Sequence, residues 1–152
     1  MNTTEFLTLS SSIVPDRLAL IFEGKRLTYA CLQERVNRLA DVLAKQGVGA
    51  GDRVATVQVN CNEHIEAYFA AAKLDAIYVP INFRARVEEL SFMLSDSGVK
   101  VIILGQRYQG MLRSLRSELP ALEHAITLEA PGEGFLFYDD LLKNASDEER
   151  FP

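Results

Sequence analysis

The sequence predicts an α/β protein: a mostly parallel sheet covered by helices on both faces, with a small N-terminal β-hairpin. Three observations predict it. Residues 51–83 read as strand, helix, strand. Two further apolar runs, 99–104 and 124–128, alternate with helical patterns, which is how a parallel sheet buried on both sides is written. The length, 152 residues, suits one domain able to bury about two-thirds of its unfolded surface. Within a single domain over 1–152, the hairpin falls at 17–27, the α/β core at 28–128 and a C-terminal extension at 129–152.

Residues 1–16 read as a short helix and a loop ending at Pro15-Asp16. Residues 18–22 form a strand, Glu23-Gly24-Lys25 a turn, and Arg26-Leu27 a return strand. Thr28 caps a long helix whose Tyr29, Leu32, Val36, Leu39 and Leu43 recur by three and four, giving one buried stripe. Glu34/Arg38 and Asp41/Lys45 are i,i+4 pairs assigned to its wet side. Gly47 ends it, where a left-handed residue is wanted.

In the central unit, 53–59 is a Val/Thr-rich strand broken by Asn60-Cys61-Asn62. Asn62 is expected to cap the next helix with its side-chain oxygen. Glu63 and Glu66 then sit near the positive helix end and Lys73 near the negative one. Ile65, Phe69 and Ala72 share a face, with Tyr68 beside them. Residues 76–79 form the second strand, ending at Pro80, and the crossover makes the pair parallel and both strands buried. Val87, Leu90, Met93 and Leu94 mark a helix stopped at Gly98. Met111, Leu112, Leu115 and Leu119 mark another, ended by Pro120. Residues 130–134 are a loop, 138–143 a short helix, and Asp147-Glu148-Glu149 an acidic tail expected to fray.

Composition narrows the function. Apolar residues are 48%, charged residues 24% and the net charge is −5, so neither disorder nor a nucleic-acid surface is indicated. The Thr/Ser-rich start lacks the basic cluster and apolar core of a signal peptide, and no apolar run approaches ~18 residues. A cytoplasmic setting is the expectation. Cys31 and Cys61 lack metal spacing and read as reduced and buried. Neither standard glycine-rich phosphate cradle, no H-E-x-x-H and no G-x-S-x-G occurs, so no catalytic residue and no metal ligand is assigned. His64 and His124 are isolated, and His64 reads as a surface residue. Glu88-Glu89 read as stabilisers of a helix N-terminus. Arg84 and Arg86 follow the second parallel strand, at the carboxyl ends where such sheets bind ligands. They read either as a phosphate grip or as a solvated loop.

Taken together, Leu27-Thr28-Tyr29-Ala30-Cys31-Leu32, then Gly51-Asp52-Arg53-Val54-Ala55, then Ala71-Ala72-Lys73-Leu74-Asp75-Ala76-Ile77-Tyr78-Val79-Pro80-Ile81-Asn82, then Asp96-Ser97-Gly98-Val99-Lys100-Val101 resemble, in order and spacing, the N-terminal subdomain of the adenylate-forming (AMP-binding) enzymes. The likeness is greatest to the acyl-CoA synthetases, or fatty-acid–CoA ligases, and Asn82 after Val79-Pro80 leans the same way. Cys31 stands where the family usually has the Glu of a capping box, which removes one reciprocal bond at a cost of ~0.5–1 kcal/mol. Asp75 stands where Gly is usual in a left-handed turn.

The resemblance implies a full-length parent that converts a small carboxylic acid and ATP to an acyl-adenylate and pyrophosphate. CoA then displaces AMP, and Mg²⁺ offsets phosphate charge. ATP, CoA and Mg²⁺ are thus cofactors of the parent, and none is expected on this piece. The phosphate loop with its Lys, the ribose-binding Asp and the catalytic lid Lys would lie downstream. The 152 residues therefore read as a shortened, inactive part of a fatty acid metabolism ligase, with the remainder of the parent as partner. They carry no membrane span, and their exposed sheet face invites homodimerisation. The resemblance also implies a role for Arg84, as a contact to the 3′-phosphate of CoA. The alternatives are a piece of a peptide-synthetase adenylation domain, or a non-catalytic truncated paralogue acting as an assembly module. A receiver-like module fits poorly, because Asn60 and Asn82 stand where strand-end acids would hold Mg²⁺.

Overall fold

The computed structural model describes residues 3–150. Met1, Asn2, Phe151 and Pro152, included in the expected N-terminal helix region and C-terminal extension, lie outside the described residues. Helix α1 (Thr3–Ile13) precedes the hairpin of β1 (Leu18–Phe22) and β2 (Lys25–Thr28). Glu23 and Gly24 both have positive φ, 45° and 81°, the two-residue turn that matches strand twist. There follow α2 (Tyr29–Lys45), β3 (Arg53–Val57), α3 (Asn62–Ala72), β4 (Ile77–Ile81), α4 (Val87–Ser97), β5 (Val101–Leu104), α5 (Gln109–Leu115), β6 (His124–Thr127), β7 (Leu136–Phe137) and α6 (Tyr138–Lys143).

The five-stranded sheet has the order β4-β3-β5-β6-β7, and every pair is parallel. Successive side chains of a strand point to opposite faces. Val101 and Ile103 accordingly join Leu32, Val36, Leu39 and Leu43 of α2 in one core, while Ile102 and Leu104 join Leu90, Leu94 and Leu112 of α4 and α5 in the other. Both faces are covered, as the α/β pattern predicts.

The helix ends obey local chemistry. Thr28 Oγ1 accepts from Cys31 N at 3.2 Å, the half of the capping box that survives without Glu. Gly98 closes α4 at φ 60°, and Asp75 takes the left-handed turn after α3 at φ 56°. At α4, Arg86 N donates to Glu89 Oε2 at 2.8 Å, which supports the helix-terminus role given to the acidic pair.

Several expectations are corrected. Strand β4 is an edge strand: Ile77 is 53% exposed, and Pro80, which cannot donate to a ladder, sits there without penalty. The strand predicted to reach residue 59 stops at Val57, because Gln58 Oε1 takes the Val59 amide. The helix predicted through Leu119 is α5 flanked by 3₁₀ turns at Gln106–Tyr108 and Arg116–Glu118. Strand β7, only two residues after a glycine-rich loop, carries no periodicity and was not predicted. Cys61, not Asn62, occupies the cap of α3; Asn62 is buried and donates to Glu66 Oε1 at 2.6 Å. Cys31 is exposed and Cys61 half-buried, and both are free.

Polar groups, moreover, line the inner face of α3. Ile65 and Tyr68 stand exposed, while Asn62, Glu66, Ala67, Ala70 and Ala71 are buried. Glu66 accepts from Arg35 Nε at 2.7 Å and from Tyr138 Oη at 2.5 Å. Lys73 is buried and pairs with Glu149 at 2.9 Å. The acidic tail is therefore docked, not frayed. Asp41 is buried too, instead of lying on the wet side of α2, and holds Lys45 at 2.6 Å and Arg150 at 2.7 Å.

Burial alone would raise the Asp41 carboxyl, but its bonds to Lys45, Arg150 and the Ser146 amide hold it at about 2, down from 3.8. A depressed folded value contributes stability that is present above the unfolded value and lost as pH falls through the folded one. Asp41→Asn should cost about 1–2 kcal/mol at neutral pH, after screening of the exposed Lys45 and Arg150, and that difference should vanish between about pH 4 and pH 2. Urea titrations of both proteins across that range measure it.

Candidate functional site

The spatial order β4-β3-β5-β6-β7 is 2-1-3-4-5 when strands are counted from β3. In such sheets the loops after the first and third strands diverge, and ligands bind at the carboxyl ends there. Here that crevice is closed from within. Gln58 Nε2, after β3, donates to Glu129 Oε1 at 3.0 Å, and Gln106 N, after β5, donates to Glu129 Oε2 at 2.9 Å. Gly105 is required, since a Cβ there would collide with the Gln58 side chain.

A groove of about 450 Å³ remains open beside β4, at the carboxyl ends of β3 and β4. Asn60, His64, Ile65, Tyr78, Asn82 and Phe83 lie on its walls. Its floor is ordered by a hydroxyl–imidazole network. His64 Nε2 lies 3.1 Å from the Gln58 carbonyl oxygen, so it must donate, leaving Nδ1 to accept. Thr56 Oγ1 is 2.8 Å and Tyr78 Oη 3.1 Å from Nδ1, and the two hydroxyls are 2.7 Å apart. In the tautomer that carries its proton on Nε2, Tyr78 to Thr56 to His64 to the Gln58 carbonyl is one directed chain. His64, expected at the surface, is half-buried and ties α3 to β3 and β4. Burial raises the Tyr78 phenol, only partly offset by Thr56, so it stays protonated as the chain requires. Cys61 is no nucleophile: burial, with the nearby Glu63 charge, pushes its thiol to about 12.

Arg84 sits in the loop that leaves β4, next to this groove. Its amide donates to Asn82 Oδ1 at 3.0 Å, and Ala85 N donates to Asn82 O at 2.9 Å, a turn built on Asn82. The exposed guanidinium lies 5.2 Å from the centroid of the Phe83 ring. Phe83 O in turn accepts from Tyr108 Oη at 2.8 Å, which anchors the loop to the β5 side. Arg86 is exposed and its backbone serves as the cap of α4. The network of Thr56, His64 and Tyr78 escaped sequence reasoning. Its only signal was a polar residue on each of two neighbouring strands opposite a helix-start histidine.

The fold is thus an open, five-stranded parallel sheet covered by helices on both faces, with its loops gathered at the carboxyl edge. A family model described as AMP-binding enzyme matches residues 10–151, and the chain belongs to that family. It is 31% identical over 157 residues to a 3-oxocholest-4-en-26-oate–CoA ligase of Rhodococcus rhodochrous, covering 99% of this chain and 28% of that protein. To a long-chain-fatty-acid–CoA ligase of Thermus thermophilus it is 34% identical over 131 residues, covering 86% and 24%. Among solved structures, an anthranilate CoA ligase bound to anthranoyl-AMP superimposes with a TM-score of 0.96 at 25% identity, covering all of this chain and 30% of that one. The N-terminal domain of FACL13 from Mycobacterium tuberculosis gives 0.88 at 32% identity, covering 99% and 37%. The chain thus spans about a quarter to a third of the length of these relatives. Among the described residues no helix is long and apolar enough to cross a membrane, and no group of His, Cys, Asp and Glu could hold a metal ion.

Replacing His64 by Ala strands the Gln58 carbonyl and leaves the Thr56 hydroxyl with Tyr78 alone. The expected loss is about 1–3 kcal/mol of unfolding free energy by urea titration, the cost of leaving buried polar groups unpaired. A change within experimental error would mean that water replaces the ring.

Proposed function

We propose that this chain is the N-terminal part of an ATP-dependent acyl-CoA ligase, which forms an acyl-adenylate and passes the acyl group to CoA. The match to the AMP-binding model over residues 10–151, with acyl-CoA ligases among the curated relatives, carries the reading. In this reading ATP and Mg²⁺ are held by the remainder of the parent, which supplies the phosphate loop and lid. The remainder also covers the β4 side, where Ile65, Tyr68, Ile77 and Phe83 are exposed together with the strand's free edge. Patches of this kind are ordinarily covered.

Arg84 is proposed as a contact to the 3′-phosphate of CoA. Its surroundings suit the group: the guanidinium is exposed, stacked on Phe83 and unpaired with any carboxylate among the described residues. It is always charged and can grip phosphate oxygens with two donors. The adenylation half-reaction does not involve it.

Two measurements test the reading. The 152-residue chain alone should release no pyrophosphate from ATP with any of a panel of carboxylic acids, and clear turnover would refute the division of labour. In the full-length parent, Arg84→Ala should raise the KM for CoA roughly tenfold, about 1–2 kcal/mol of partly exposed contact, and leave adenylation unchanged. Equal loss in both half-reactions would remove Arg84 from the CoA site.

A further inference from the structure

We propose that residues 145–150 form a strap that pins helix α1 onto α2 and α3, with Glu149 as its clasp, so that strap and helix let go together. The inference starts from how α1 is seated. Its buried residues are Thr4 and Leu7, while Phe6, Leu9 and Ile13 are 57%, 51% and 74% exposed. That is little apolar burial to set against the entropy of ordering an 11-residue helix, so the polar contacts between α1 and its neighbours weigh more.

Glu149 supplies what is missing. Its Oε1 accepts from Thr8 Oγ1 of α1 at 2.6 Å, from Gln33 Nε2 of α2 at 3.0 Å and from Lys73 Nζ, at the end of α3, at 2.9 Å. A single carboxylate oxygen thus joins three helices, and the Thr8 bond spans 141 positions of the chain. The segment leading to it is seated along α2. Arg38 Nη1 donates to Ala145 O at 2.8 Å, Ser146 N to Asp41 Oδ2 at 3.0 Å, and Asn37 Nδ2 to Asp147 O at 2.9 Å. Arg150 then returns to Asp41 at 2.7 Å. Gln33, Asn37 and Asp41 recur every fourth residue, so they lie along one face of the helix, and all three are buried. An amphipathic helix has no reason to bury such a stripe unless a polar segment occupies it.

Lys73 makes the arrangement all-or-none. Its ammonium is 1% exposed, and an unpaired cation at that depth is strongly disfavoured. If Glu149 leaves, Lys73 must find water, Thr8 keeps only its long 3.4 Å bond from Gln33 Nε2, and the hold on α1 weakens with them.

Hydrogen exchange read by mass spectrometry tests this on the whole chain. Glu149→Ala should speed exchange at least tenfold in both α1 and residues 145–150, with β3, β5 and β6 unchanged. Glu148→Ala, an exposed neighbour whose carboxylate takes no part, should leave both segments protected. If Glu149→Ala does not fold, Glu149→Ala combined with Lys73→Met removes the stranded cation and is measured instead, with the same expectation. Loosening of one segment without the other, or of neither, overturns the proposal.

Discussion

A carboxylate with no solvent exposure persists only where other donors replace the water it has lost. Glu66 has three: the Arg35 guanidinium from α2, the Asn62 amide from its own first turn and the Tyr138 hydroxyl from α6. This convergence fixes the rotation of α3 about its axis. Asn62, Glu66 and the alanines face inward, and Ile65 and Tyr68 face out. Because α3 is the crossover between β3 and β4, its rotation also sets where the loops at the carboxyl edge begin. The Cys61 cap, the His64 ring and the Asn82 turn all inherit their places from a buried charge some distance away. Burial raises the Tyr138 phenol well above its ordinary range, reinforced by Glu66, so it is a hydrogen-bond donor whenever the protein is folded.

What was legible in the sequence followed from local rules. Alternating apolar runs gave the parallel sheet with its covering helices, Thr28 and Gly98 gave helix ends, and the family resemblance added the left-handed turn at Asp75. What was not legible depends on partners far apart in the chain. The outward face of α3 carries Ile65 and Tyr68, so apolar periodicity pointed the wrong way; the inward face is small and polar because Arg35 and Glu149 meet it from 31 and 76 positions away. The same reason hid the docked tail. Three consecutive acids look solvated until the buried Lys73 and the stripe on α2 are seen beneath them.

The candidate site divides along the same line. Arg84 could be placed at a strand's carboxyl end from the pattern alone, and the family resemblance gave it a task. Its stacking on Phe83, and the tie from Phe83 to Tyr108, needed coordinates. That β4 lies at the edge also needed them. A run of Ile, Tyr, Val and Ile reads as an interior strand, and only the order of the sheet shows that one side of it is unpaired.

The position of the groove follows from what fills the usual one. A sheet of this order offers its crevice between β3 and β5, yet Gln58, Glu129 and the Gln106 amide satisfy one another there, and the Gln58 side chain fills the space where a Cβ on residue 105 would stand. Glu129 adopts φ 69° to reach both partners, a left-handed conformation that a non-glycine residue adopts only when its surroundings hold it. With those groups paired, the carboxyl edge keeps a cavity of about 210 Å³ beside Gln58, Leu128 and Glu129 and, one strand outward, the wider groove walled by His64, Tyr78 and Phe83. Arg84 follows this groove in the loop that leaves β4, and the acids of the first turn of α4, Glu88 and Glu89, come next in the chain.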